Sequence, residues 1–533
     1  MIQAIETDIC IIGSGITAAL LAEKLSEERR ADIVVVEAGD EMPPLGQRAR
    51  LRQRLLDYGE SPWPHDHLDG YEVEGIQSRS MCVGGLAMHW GAVTPRFTPE
   101  DFRIRSLYGV GDDWPISYDD LEPFYHEAEE RIGVAGESGP QDADSPRSKP
   151  YPQPALPLTY NLELLKPWGE RTAPFWSQPS AKNSVVYRGR AACCRNDTCF
   201  PICPVGAKYS PDFTWAALRS AGKVHLIPRT LVRRLVLEDR SPRVSHAVAV
   251  NRDHPNDTVE FHARTFVVAA GYTWSPHLLL LSTDRRFPNG LANRGGLVGK
   301  YMNGHRNVFA FIRLPLRLYP GMNGQHSLMS HRFMRPTTLT KYLRHDLRIW
   351  ESSLGAEPRL RDENARLLLG DDLLADWRSR TERGTVRLRA YYDVLPHRES
   401  SVTLDHSRLS PWGDPLPRIS YRDSETSAAL RGHTEDTIKQ LFRRMATAGG
   451  GKVVRDGVDS FQDHPGGGCR MGEDANTGVV NSWGRTFDHE NLFVVGAPTT
   501  VSPSCCNATL TFVALGLRAA TEIGRTLPAA EVH

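Results

Sequence analysis

The chain has 533 residues with 64 basic and 64 acidic side chains, so it is formally neutral. A chain of this length buries a large core and divides into at least two domains. Neutrality excludes both the cationic stripe expected of a nucleic-acid binder and the basic face of a membrane-surface protein.

At the N-terminus, residues 1–8 carry no basic stretch followed by an apolar one, and no apolar run approaches the roughly 18 residues of a spanning helix. A cytoplasmic protein with no membrane span is expected. Nine cysteines, among them the adjacent pairs Cys193-Cys194 and Cys505-Cys506, do not resemble the even framework of a small secreted domain. Reduced thiols or metal ligands are the default expectation.

Residues 8–12 read as an apolar strand entering Gly13-Ser14-Gly15-Ile16-Thr17-Ala18, followed by a helix over 19–26 and a strand over 31–36 that ends at Glu37. Gly13 suits a tight turn, Gly15 lets a phosphate approach the backbone, and the small Ala18 permits close packing of helix on strand. Glu37 can accept a hydrogen bond from an adenosine ribose. In this order the pieces predict a dinucleotide site without choosing between a flavin and a nicotinamide.

Next comes Trp63-Pro64-His65-Asp66-His67. On an extended segment Asp66 points away from both histidines, so a solvated loop is expected rather than a metal site. The block Cys82-Val83-Gly84-Gly85-Leu86-Ala87-Met88-His89-Trp90-Gly91 reads either as a capped tight turn or as backbone laid against a flat cofactor. Residues 114–121 predict a turn into a helix capped by Ser or Asp, and residues 137–157 a loop.

The run Cys193-Cys194-Arg195-Asn196-Asp197-Thr198-Cys199-Phe200-Pro201-Ile202-Cys203 places four of the nine cysteines in eleven positions. It reads as core thiols, as a zinc site without the usual two separated pairs, or as thiolates around iron bridged by sulfide. Beyond it, a helix is expected over 213–220, strands over 224–227, 231–237 and 247–251, and a buried strand over 266–271 before a helix over 275–282. Strands over 308–312, 385–391, 402–404 and 418–421 precede a long helix over 427–448. A last buried strand over 493–497 and a closing helix over 509–523 return to the nucleotide unit.

The fold class is therefore α/β: a Rossmann-like cofactor domain, discontinuous in sequence, joined to a mixed-sheet α+β substrate domain. The expected cofactor segments are 1–99, 210–299 and 456–533. The substrate domain takes 100–209, with the cysteine cluster, and 300–455.

Two polar residues stand out near the end. His464 opens the glycine-rich His464-Pro465-Gly466-Gly467-Gly468-Cys469-Arg470-Met471-Gly472, and a neutral imidazole accepts a proton near pH 7. Asn507 offers an amide donor to a substrate oxygen, or else caps the helix that follows. Cys505 and Cys506 lie on adjacent α-carbons about 3.8 Å apart, closer than an unstrained disulfide prefers, and read as buried small side chains.

In their order these blocks resemble the glucose-methanol-choline (GMC) family of FAD oxidoreductases: Gly13, Gly15 and Glu37; Gly84-Gly85 through Trp90; Trp114-Pro115-Ile116-Ser117; Gly468-Cys469-Arg470-Met471-Gly472; and Asn507-Ala508-Thr509-Leu510-Thr511. The resemblance implies an FAD-dependent alcohol oxidoreductase in which a hydroxyl proton is removed and a hydride passes to flavin N5. It implies His464 as the base and Asn507 as its partner. His89 falls where some members bond the flavin covalently and others only pack a histidine.

The cysteine run is similar to that of bacterial FAD-dependent sugar dehydrogenases, which implies a three-iron four-sulfide (3Fe-4S) cluster on Cys193, Cys199 and Cys203 and a separate electron-acceptor protein. Cys194 belongs to a disulfide in those relatives, and no cysteine lies here between Cys82 and Cys193 to pair with it. A second similar group, the aminoglycoside oxidoreductases of antibiotic biosynthesis, makes the implied substrate a sugar or an aminosugar. A nicotinamide-dependent dehydrogenase and an iron-sulfur electron carrier or redox sensor are the competing functions.

Overall fold

The computed structural model describes residues 2–28, 31–63, 65–73, 80–196, 198–318, 326–335, 344–352, 360–362, 365–382 and 385–527. Pro64 and Asp197, named above, lie outside the described residues. No helix among the described residues is long and apolar enough to cross a membrane.

The strand Ile2–Ile12 is the spine of the first half. It pairs in parallel with Ile33–Val36 on one side and Thr258–Val268 on the other. His225–Ile227 extends the parallel run beyond Ile33–Val36. Every residue of Ile33–Val36 is buried, as expected of a parallel strand covered on both faces. Thr258–Val268 divides its outer edge between two partners. Its first half pairs antiparallel with Val244–Asn251, and its last residues pair in parallel with Leu492–Val494 from the far end of the chain. The seven-stranded sheet is thereby closed by a segment more than two hundred positions away in sequence. Helices Ile16–Glu28 and Thr509–Thr526 pack together beside it, with Ala18, Ala19 and Ala22 meeting Ala519, Ala520 and Ile523 in one core. The expected cofactor domain is thus present and discontinuous.

The second half is a six-stranded sheet, in order Lys452–Gly466, Asn303–Arg313, Thr385–Asp393, Leu347–Ser352, Ser327–Ser330 and Trp176–Ser177. Its pairs run antiparallel throughout. Alternation decides its faces. Val308, Ala310 and Ile312 pack with Val386 and Leu388 under Ile438 and Phe442 of the long helix Glu425–Ala448. The odd-numbered positions between them turn to the opposite side, toward the first domain.

Several elements depart from the sequence reading, among them the helices Tyr160–Gly169 and Gly370–Glu382, and two others show why. Lys452–Gly466 is a 15-residue strand where none was expected, because Gly457 and Pro465 interrupt the pattern. It stays in register with Asn303–Arg313 only through shifts between Val453 and Arg455 and again on either side of Asp463. The helix Leu45–Tyr58 was also unread. Its mostly charged surface buries only Arg48, so no apolar period announces it.

Candidate active site

A cavity of about 1100 Å³ lies between the two sheets and receives residues from both glycine blocks, His464, Asn507 and the substrate-side strands. Gly13 has φ +97, and a Cβ on it would meet the Ala269 carbonyl oxygen at 2.7 Å, so only glycine fits this turn. Gly15 is different: a Cβ there meets nothing within 4 Å and would project into the cavity. The empty space beside Gly15, at the N-terminus of Ile16–Glu28, is a cradle for a phosphate group. Ala18 sits fully buried where that helix meets the sheet.

Ser14 ties the nucleotide parts together, and the sequence reading passed over it. Its amide and hydroxyl donate to Glu37 Oε2 at 3.0 and 2.6 Å, and its hydroxyl oxygen accepts from the Gly84 amide at 3.1 Å. Glu37 Oε1 accepts from the Gly39 amide at 2.9 Å. Burial pushes the Glu37 carboxyl up, and these three donors together with the Ala38 amide only partly oppose it. Gly84 and Gly85 both have positive φ, and a Cβ on Gly85 would lie 3.4 Å from the Gly15 α-carbon, so the two glycine blocks touch. Trp90 is anchored by its indole N–H on the Tyr209 carbonyl at 2.8 Å.

The histidine cluster near residue 65 requires a correction. Asp66 does not point away from its neighbours: Oδ1 lies 3.0 Å from His67 Nδ1, and Oδ2 lies 2.9 Å from His89 Nε2. Burial raises the Asp66 carboxyl, but His89 and His67 outweigh it and hold the group below its ordinary range. The alternation rule failed because residues 66–70 turn rather than extend.

At the far side of the cavity three polar side chains form a relay. His305 Nδ1 donates to the Ser504 carbonyl at 3.2 Å, its Nε2 lies 2.9 Å from His464 Nδ1, and His464 Nε2 lies 2.8 Å from Asn507 Nδ2. A carbonyl can only accept, so the proton of neutral His305 sits on Nδ1 and its Nε2 is an acceptor. His464 Nδ1 must then carry the proton. The lone pair of His464 is therefore on Nε2, where it accepts from the Asn507 amide at the cavity.

His464 stands near the end of the strand Lys452–Gly466, and its φ of +45 is uncommon for a residue with a side chain. Gly466 and Gly467 serve packing rather than ligand approach. A Cβ on either would strike Thr500 Oγ1 at 2.4 Å or the Tyr301 carbonyl oxygen at 2.2 Å. Asn507 is not a helix cap, because Ala508 holds the N-cap position of Thr509–Thr526. Cys505 and Cys506 are fully buried, and burial pushes both thiols well above their usual range.

All nine cysteines are free. Cys199 and Cys203 are buried, Cys193 is half-buried, and Cys194 is exposed. Among the described residues no group of three His, Cys, Asp or Glu side chains is close enough to hold a single metal ion. Beneath the loop lies Lys208, 2% exposed, whose ammonium donates to the carbonyls of Met88, Trp90, Cys199 and Pro201 at 2.7 to 3.3 Å. It therefore joins the cysteine loop to the block that carries His89 and Trp90. Burial pulls the Lys208 amine down to about 7 against an opposing pull from Cys203 and Cys199. Phe200, inside the cysteine run, lines the cavity directly.

Two family profiles described as GMC oxidoreductase match residues 176–305 and 396–516. The chain is 30% identical to the fructose dehydrogenase large subunit of Gluconobacter japonicus, over 98% of each protein. It is 28% identical to the paromamine 6'-oxidase of Streptomyces fradiae, over 98% of this chain and 92% of that protein. Among solved structures, pyridoxine 4-oxidase from Mesorbium loti superposes with a TM-score of 0.65 at 18% identity, covering 98% of this chain and all of that one, which shows the shared fold.

Proposed function

The chain belongs to the GMC oxidoreductase family, and from that premise we propose that it oxidises one hydroxyl group of a sugar or aminosugar to a carbonyl. It is an FAD-dependent oxidoreductase acting on CH–OH donors. The substrate class is supported by relatives named for fructose and for paromamine.

The residues present fit FAD. Gly13 and Gly15 with the helix behind them would hold the pyrophosphate, Glu37 the ribose, and Gly84, Gly85, His89 and Trp90 the ring side of the cofactor. Bound FAD supplies the acceptor for the hydride that leaves the hydroxyl-bearing carbon. His89, with Nε2 engaged by Asp66, packs beside the ring and does not bond it, so denaturation releases the flavin.

The single observation that carries this reading is the relay from the Ser504 carbonyl through His305 to His464. It puts the His464 lone pair on Nε2, where the substrate hydroxyl takes the place of the Asn507 amide and gives up its proton, and the displaced amide donates to the substrate oxygen instead. The test is anaerobic addition of sugars and aminosugars to the purified flavoprotein. Bleaching of the flavin absorbance is the expected result, and no bleaching by any member of either class overturns the substrate assignment.

Cys193, Cys199 and Cys203 are proposed to hold a 3Fe-4S cluster. The donor chemistry supports it, with three thiols in eleven positions over a buried ammonium that offsets thiolate charge. Such a cluster, when bound, supplies a one-electron outlet toward a separate acceptor protein. Nine free thiols suit the reducing cytoplasm, which completes the proposal. Iron and acid-labile sulfide in a three-to-four ratio support the cluster; their absence from anaerobically prepared protein overturns it.

A further inference from the structure

The substrate-side wall of the cavity is unusually cationic. On the antiparallel sheet Arg348 stands directly opposite Arg389, and Trp350 opposite Arg387. Arg387 and Arg389 alternate with Val386 and Leu388, whose side chains are buried in the core, so both arginines share the cavity face with Tyr391. Arg306 lines the same cavity. Like charges placed directly across a strand pair are destabilising, so this arrangement is a local cost to the empty fold.

At Arg348 and Arg387 the described residues offset that cost only in part. Arg348 is 1% exposed, and one carboxylate reaches it: Asp346 Oδ2 accepts from its Nε at 2.6 Å, while Asp346 Oδ1 accepts from the Tyr391 amide at 2.6 Å. Arg348 Nη2 is buried with no hydrogen-bond partner among the described residues. The same holds for Nε of Arg387 and of Arg306. Asp459 adds only a favourable field at Arg387, and burial together with Arg389 outweighs it, pushing that guanidinium below its ordinary range.

The guanidiniums also lie against aromatic rings. Arg389 lies over the Tyr391 ring at 4.1 Å, Arg348 over the same ring at 5.1 Å, and Arg387 over Phe309 at 5.4 Å. Stacking fixes a planar guanidinium by its face and leaves its N–H edge available for a two-point contact with an oxyanion. Tyr391 in turn meets the His464 ring edge-on at 5.8 Å. The cationic wall is therefore one aromatic ring away from the proposed base.

We propose that the substrate of this centre is an anionic sugar derivative whose carboxylate or phosphate docks on Arg348, Arg387 and Arg389 while the hydroxyl to be oxidised lies at His464. This rests on the reading of the centre as a sugar-oxidising site and narrows it. An oxyanion here takes up Arg348 Nη2 and Arg387 Nε, which are buried without a hydrogen-bond partner among the described residues, whereas the ammonium of an aminosugar meets repulsion from the same wall.

The experiment compares four probes on the FAD-loaded protein under anaerobic conditions: glucuronate, glucose 6-phosphate, glucose and glucosamine. Flavin reduction gives kcat/KM, and calorimetry gives Kd independently of turnover. One of the two anions is expected to bind and to reduce flavin better than glucose and glucosamine, and which one it is separates a carboxylate from a phosphate substrate.

In Arg387→Gln, with FAD content and circular dichroism unchanged, the preference for that anion over glucose should fall by roughly 10- to 100-fold, as expected from losing a charged hydrogen bond. Arg387→Lys should restore part of it. If glucose or glucosamine reduces flavin as well as the anions do, or if the preference survives Arg387→Gln, the anionic assignment is overturned while the sugar-oxidase reading stands. If the anions bind and lose affinity in Arg387→Gln yet no probe reduces flavin, the wall is an anion site and the sugar-oxidase reading fails instead. If no anion binds, the proposal fails outright.

Discussion

The two walls of the active-site cavity are made of different material. On the cofactor side the surface is largely backbone, lined by Gly13, Gly15 and Gly85, with Ser14 and the buried Glu37 tying the two glycine blocks together. On the substrate side it is side chain, with guanidiniums and aromatic rings projecting from alternate positions of three strands. A backbone wall accepts any ligand with the right shape and phosphate, and it is fixed by local sequence. A side-chain wall selects by charge and reach, and exists only once distant strands are in register.

Several changes would sharpen or break that contrast. Gly15→Ala adds a methyl group that touches no protein atom, so thermal stability of the flavin-free protein should not change, while FAD affinity drops by about 10-fold or more because the methyl occupies the phosphate cradle. Fluorescence titration with FAD checks this, and normal affinity would mean that the cofactor wall does not depend on bare backbone at Gly15.

His305→Phe keeps a ring against Tyr391 but removes the acceptor that holds the His464 proton on Nδ1. Flavin reduction should slow by roughly 10-fold and its pH profile should move, since a free tautomer equilibrium replaces a fixed one. A merely structural role for His305 would alter stability and leave that profile in place.

Asn507→Ala should slow flavin reduction by about 5- to 10-fold with little change in FAD content, as expected for an orienting donor rather than a proton acceptor. Smaller still is Lys208→Met. It removes four hydrogen bonds between the cysteine loop and the Met88–Trp90 segment, and should lower iron retention about two- to threefold with FAD retained. Iron and flavin assays on the same preparation separate the two outcomes.

How much of this was legible in the sequence follows the same division. Gly13, Gly15, Glu37 and the Gly84-Gly85 block were readable because they act through local turns whose geometry depends on neighbours in sequence. His464 and Asn507 were readable by family resemblance, although the strand that delivers His464 was not, since its glycine, proline and register shifts hide any alternation. His305 was invisible: its partner is 159 positions away, and Asn303-Gly304-His305 matches no pattern. The arginine wall was equally hidden, because Arg348 and Arg389 become neighbours only through the pairing of two strands. Asp66 was misjudged for a related reason, its partner His89 being reached by a turn.

The central claim is that His464, held in one tautomer by His305, takes the hydroxyl proton while FAD accepts the hydride. Stopped-flow measurement of anaerobic flavin reduction in His464→Ala, at saturating substrate and across mildly acidic to mildly basic pH, tests it most directly. The FAD content of the variant should match the wild type, and the reduction rate should fall by about 10²- to 10⁴-fold, the usual contribution of a general base. An unchanged rate in flavin-replete His464→Ala would contradict the account and move the base elsewhere in the cavity.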